Sequence, residues 1–144
     1  MTRLDALQAA LAAEHEVVYG YGVVGAHLRA QPRQWCLHRL DGHLTLRDRL
    51  AGLVRAAGGE PVATRPAYAL PAPVTDTAGA LALAIRLEDG AAGAAWDVVA
   101  AGPAGGAVRE TGVAALTAAA TWSARWRALA GSGPAPALPG APVR

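Results

Sequence analysis

Several ionisable side chains stand where helical periodicity calls for apolar ones. Leu4, Leu7, Leu11, Glu14, Val18, Tyr21, Gly25 and Leu28 repeat at spacings of three and four, making one helix face with a carboxylate near its middle. A second stripe of Cys36, Leu40, His43, Arg47, Leu50 and Val54 carries an imidazole and a guanidinium one turn apart. A third, through Leu81, Ile85, Glu88, Ala92, Ala95 and Val99, carries another carboxylate. Burying such a group costs on the order of several kcal/mol unless it is paired, hydrogen-bonded or bound to a cation. Two chemistries meet that demand. Glu14, His43 and Glu88 form a metal-ligand set suited to iron or manganese, with Tyr21 beside it. Alternatively, Glu14, His43, Arg47 and Glu88 form a buried polar network in which Arg47 forks between the two glutamates.

The helix rise favours the network. With the first turn centred near Gln31, Glu14 faces Arg47 or Asp48, and His43 is displaced from Glu14 by about 7 Å along the axis. Glu88, counted from the starts of the second and third helices, falls at about the height of Arg47. An arginine at that point repels a cation, and no nucleophile or acid–base pair accompanies the cluster. The expected role is therefore non-catalytic, with no cofactor, in an assembly or interaction protein. A metal-binding protein or metal-dependent oxidoreductase using Glu14, His43 and Glu88 is the alternative. A small-molecule module lined by Tyr19, Tyr21 and the glycine-rich face of Gly20, Gly22 and Gly25 is another.

The elements that position these groups are four predicted helices. The first spans about 3–29 and opens with Thr2 and Asp5 at capping-box spacing. The second spans 33–57, with Pro32 in a first-turn position and Gly58 and Gly59 at its end. The third covers 76–101, capped by Thr75 or Asp76 and broken by Gly102 and Pro103, and the fourth covers 106–130, ending at Gly131. Between the second and third, residues 58–74 contain Pro61, Pro66, Pro71 and Pro73 and form a crossover that spans about 50 Å when extended. A helix of about 25 residues is only some 38 Å long, so this connection reaches from end to end. Two hairpins so joined predict an all-α, up-down-down-up four-helix bundle over residues 1–131, with a Pro/Ala-rich tail at 132–144.

Composition narrows the classes. A chain of 144 residues fits one domain, and the single cysteine, Cys36, excludes an internal disulfide and is expected to be a buried, inert thiol. All thirteen basic residues are arginines, interleaved with acids at a net charge of +2, with none of the clustering expected of a nucleic-acid binder. No uncharged stretch approaches a membrane span. The opening MTRLDAL lacks an export pattern, so the expected location is cytoplasmic. His15 and Glu16 flank the first stripe and are expected at the rim. His27 and His38 are expected to be structural or exposed. Trp35, Trp96, Trp122 and Trp126 are expected in the core, whereas an exposed Trp122 and Trp126 face would make a dimer interface. A homodimer or an unidentified protein partner is the expected association.

The string Ala13-Glu14-His15-Glu16-Val17-Val18-Tyr19-Gly20-Tyr21-Gly22-Val23-Val24-Gly25-Ala26 resembles the first helix of a bacterial ferritin-like family of unknown function. His43 followed by Arg47-Asp48, the stretch Pro66 to Pro71 before Val74-Thr75-Asp76, and the pair Leu87-Glu88 resemble the same family, so the likeness covers nearly the whole chain. It implies a ferritin-like fold and no established activity. Against the wider di-iron carboxylate proteins the ligand set is half complete. Leu40 stands three residues before His43 where a glutamate is needed, and the fourth helix has no histidine and only Glu110 near its start.

Overall fold

The computed structural model describes residues 1–142. It consists of four helices, α1 (Arg3–Ala26), α2 (Ala30–Ala56), α3 (Thr77–Ala101) and α4 (Ala107–Ala130), with no strand among the described residues. None of these helices is long and apolar enough to cross a membrane.

Local chemistry sets most of the helix ends. At α1 the Thr2 hydroxyl accepts from the Asp5 amide at 3.1 Å while the Asp5 carboxylate accepts from the Thr2 amide at 2.8 Å, a reciprocal capping box. Asp76 caps α3 through the Gly79 amide at 2.7 Å. Gly131, with φ of 67°, closes α4 in the left-handed region, where glycine has no side chain to clash. The α1–α2 turn has the expected length of three residues but lies three residues earlier in the chain than the periodicity suggests. α1 stops at Ala26 and α2 begins at Ala30, so Pro32 lies within the first helical turn, where a missing N–H leaves no bond unmade.

This earlier turn resets the register between α1 and α2. The Cys36 thiol approaches the Tyr21 carbonyl, and the His43 ring meets the Glu14 carboxylate. Both pairs are symmetric about a point between Leu28 and Arg29. A centre at Gln31 is therefore displaced by about two and a half residues, and the 7 Å separation of Glu14 from His43 disappears.

The crossover runs beside α1 from its start to its end. Gly59 packs on Leu4, Gln8 bonds both the Glu60 carbonyl and the Val62 amide, and the His15 Nε2–H donates to the Val62 carbonyl at 3.0 Å. Farther along, Tyr68 packs on Tyr19 with ring centres 5.8 Å apart, and the Thr77 hydroxyl donates to the His27 carbonyl. The tail returns to α3, where a Cβ at Gly140 would collide with the Ala92 carbonyl. Val143 and Arg144, the last part of the expected tail, lie outside the described residues.

The interior holds two apolar clusters. One gathers Tyr21, Val24, Leu28, Cys36, Ala84 and Trp126, and the other Leu7, Leu11, Leu50, Val54 and Val98. α1 packs along both α2 and α3, and α3 along α4, whereas the backbones of α2 and α4 stand farther apart and these helices meet through long side chains such as Trp35 and Trp126, whose ring centres are 6.3 Å apart. The α3–α4 seam is close because its residues are small. A Cβ at Gly112 would sit 2.8 Å from the Val99 backbone nitrogen, and Gly20 on α1 is similarly covered by the Leu87 side chain. Gly22, by contrast, is exposed with open space around it. Gly112→Ala is therefore expected to destabilise the fold by about 2 kcal/mol, while Gly22→Ala should stabilise it by about 1 kcal/mol through helix propensity. Urea unfolding midpoints of the two variants check this, and equal shifts would contradict the packing described.

Candidate functional site: a buried charge network between the two cores

Between the apolar clusters, α1, α2 and α3 each bring charged groups inward. Glu14, Arg39, His43 and Glu88 are all buried, His43 and Glu88 completely. Glu88 is the hub. Its Oε1 accepts from Arg39 Nε at 2.7 Å, His43 Nε2 at 3.1 Å and the Tyr21 hydroxyl, and its Oε2 accepts from Arg39 Nη2 at 2.8 Å. The other edge of the His43 ring donates from Nδ1 to Glu14 Oε2 at 2.7 Å. Tyr21 in turn accepts from Trp126 Nε1 at 2.8 Å, which ties α4 to the cluster. With both ring nitrogens donating, His43 is an imidazolium, and two cations face two carboxylates. No fully buried side-chain polar atom among the described residues lacks a partner.

The surroundings shift Glu88 and His43 in the direction that keeps their charges. Burial opposes ionisation of Glu88, but bonds from Arg39 and His43 and their positive charges outweigh it and hold its pKa below the ordinary value. Burial likewise opposes the His43 charge, and its bonds to Glu14 and Glu88 raise its pKa nonetheless. Tyr21 is pushed well above its usual pKa by burial and by the neighbouring Glu88 charge, so it remains a neutral donor. The Cys36 thiol is pushed up to about 11 by burial, which makes it an unreactive thiol at neutral pH.

Glu14, His43, Glu88 and Tyr21 meet, but Arg47 does not join them. Arg47 is partly exposed and pairs with its neighbour Asp48 at 2.8 Å; Arg39 takes its place on Glu88 alone, and the group that bridges the two glutamates is His43. At 3.6 residues per turn both arginines lie about 40° from His43, on opposite sides, so spacing on α2 does not separate them. Arg39 continues the stripe from Cys36 by three and to His43 by four, and Arg47 does so from His43 by four and to Leu50 by three, so the sequence carries no signal that selects Arg39. Trp126 as a hydrogen-bond donor to Tyr21 was also missed, because nothing in the α4 sequence points to a tyrosine on α1.

The remaining candidates are structural. His15 and Tyr19 hold the crossover, His27 donates to the Val23 carbonyl, and exposed His38 lies 6.0 Å from the Trp122 ring. Tyr19 and Tyr21 therefore do not line one pocket, which corrects the small-molecule site expected on that face. Trp122 and Trp126 are buried, so they form no exposed dimer face. The three metal-ligand candidates do not converge on a point either. Glu14 and Glu88 sit at opposite edges of the His43 ring, Arg39 covers Glu88, and no group of three His, Cys, Asp or Glu among the described residues is arranged to hold an ion.

The sequence matches the family described as "Domain of unknown function (DUF4439)" over residues 6–143. Among solved structures, the crystal structure of a conserved hypothetical protein, rv2844, from Mycobacterium tuberculosis is similar over 94% of each chain, with a TM-score of 0.84 and 33% identity. No curated protein matches.

The network makes stability depend on pH in two directions. The Glu88 contribution is complete above the ordinary carboxyl value of 4.5 and is lost as pH falls through its lower folded value. The His43 contribution is complete below the ordinary imidazole value of 6.5 and is lost as pH rises through its higher folded value. Urea unfolding measured across pH should show a plateau between two declines, and His43→Gln should remove the alkaline decline and keep the acid one. An alkaline decline unchanged in His43→Gln would assign it to another group.

Proposed function

From the premise that this chain belongs to the DUF4439 family, we propose a non-catalytic protein of ferritin-like architecture, an up-down-down-up bundle whose role is interaction. The observation that carries this reading is that the two completely buried members of the charge network, His43 and Glu88, are engaged by Glu14, Arg39 and each other. An acid, base or ligand at work must offer a lone pair or proton to something that comes and goes. Here His43 commits both ring nitrogens and Glu88 both oxygens within the protein. The ferritin-like reading draws support from the resemblance of the first helix and from the end-to-end course of the crossover beside α1. A cytoplasmic location belongs to the same proposal.

Association is the second part of the reading, as a homodimer or with another protein. With Trp122 and Trp126 inside, the apolar contacts that the helices offer to it are the half-exposed Leu37, Val113 and Leu129, with Val62 on the crossover and Leu138 on the tail also exposed. Iron or manganese binding would require His43 to release a carboxylate and Arg39 to leave Glu88, which would strand a buried guanidinium.

Elemental analysis of protein purified without tag or chelator, then reloaded anaerobically with ferrous iron or manganese, tests the proposal. Substoichiometric metal that does not change on Glu14→Ala is the expected outcome. Stoichiometric metal lost on Glu14→Ala would replace the non-catalytic reading with a metal site. Sedimentation across a range of concentrations is expected to give the mass of a dimer, and a constant monomer mass would remove the homodimer.

A further inference from the structure

Because the backbones of α2 and α4 stand apart, a groove of about 370 Å³ opens between them, walled by Gly42 and Leu46 on one side and Ala114, Ala115 and Ala118 on the other. A recess of about 300 Å³ beside His38 and Trp122 adjoins it and shares Arg39, Gly42 and Thr45. Arg39 stands where the two meet. It is only 6% exposed, and its Nε and Nη2 are committed to Glu88.

The remaining nitrogen, Nη1, makes no hydrogen bond to any described residue, yet no fully buried polar atom among them is unsatisfied. Nη1 is therefore the edge of this buried cation that is not fully enclosed, at the junction of groove and recess beside Gly42, whose Cβ position would lie 3.5 Å from it. The neighbouring hydroxyls are already engaged. Thr45 donates to the Asp41 carbonyl at 3.0 Å, and Thr111 donates to the Ala107 carbonyl while accepting from Arg49 Nε, both at 2.7 Å.

We propose that this groove binds a small organic monoanion, a carboxylate on a compact apolar body, with the carboxylate on Arg39 Nη1 and the body against Leu46 and the α4 alanines. The volume suits a small-molecule site, and a lining of apolar groups around one placed charge is the composition such sites use. A guanidinium can hold one carboxylate on its Nε edge and a second on its other edge. Arg49, Asp41 and Glu110 at the rim are all exposed, where solvent screens them, so the charge that acts inside the groove is that of Arg39. The inference goes beyond the non-catalytic reading, because it concerns the face of Arg39 that the network leaves unused.

Isothermal titration of the full chain with octanoate, octan-1-ol and acetate separates the contributions of head and body. Octanoate is expected to bind, octan-1-ol to bind about ten-fold more weakly or worse, and acetate to show no measurable heat. Gly42→Leu places a side chain over Nη1 at an exposed helical position and should abolish octanoate binding with the circular dichroism and melting profile retained. Ala118→Leu narrows the groove from the opposite wall and should do the same, so the prediction does not depend on one variant folding.

Octan-1-ol binding as tight as octanoate would overturn the proposal, as would failure of the wild type to bind octanoate, or unchanged octanoate affinity in the folded blocking variants. A wild-type dimer that dissociates on Gly42→Leu would also overturn it, by making a second copy the occupant. None of these outcomes bears on metal retention at Glu14, so failure of the groove and failure of the non-catalytic reading remain distinguishable.

Discussion

The Glu88 carboxylate accepts four hydrogen bonds in a place without solvent, and the cost of removing its charge from water is the constraint around which the interior is arranged. One arginine neutralises it through a bidentate pair. The second cation, His43, then needs its own carboxylate, and Glu14 supplies it from α1. Each added group answers a charge left by the previous one, until two positive and two negative charges are in contact. Tyr21 and Trp126 complete the hydrogen bonds and bring in the fourth helix.

A buried ion pair is a weak source of net stability compared with well-packed apolar residues, although breaking one is expensive. Its effect here is on alignment. The two apolar clusters on either side contain interchangeable leucines, valines and alanines, which would tolerate a sliding of one helix past another. The polar layer does not. A displacement of α1 against α2 by one turn would separate Glu14 from His43 by about 5 Å, leaving the Glu14 charge without its partner and the His43 Nδ1–H unpaired. The network therefore favours one register among several that apolar packing alone would permit.

The same arrangement leaves one side of the bundle open. Gly112 and the alanines of α3 draw α4 close to α3, while the network holds α2 toward α1 and α3. The α2–α4 gap is bridged by the Arg49–Thr111 hydrogen bond and by Arg125, whose guanidinium lies 4.4 Å from the centre of the Trp122 ring and 5.4 Å from that of Trp35. Arg39 belongs to both regions, with one edge in the network and the other toward the gap.

What the sequence by itself determined is local in origin. Helix caps such as Thr2 with Asp5 and Asp76, the breaks at Gly58 and Gly131, the prolines of the crossover and the inward placement of Glu14, His43 and Glu88 all follow from neighbours within a turn or two along the chain. What only the tertiary structure decided depends on how separate helices meet. Arg39 and Arg47 are equivalent about His43 on an isolated helix, and only the positions of α1 and α3 select the first. The level of Glu14 against His43 depended on a turn centre that periodicity locates to within a few residues, an error that the antiparallel geometry doubles. The Trp126–Tyr21 bond and the gap between α2 and α4 join residues far apart in sequence, and no periodicity within one helix carries information about the distance to another.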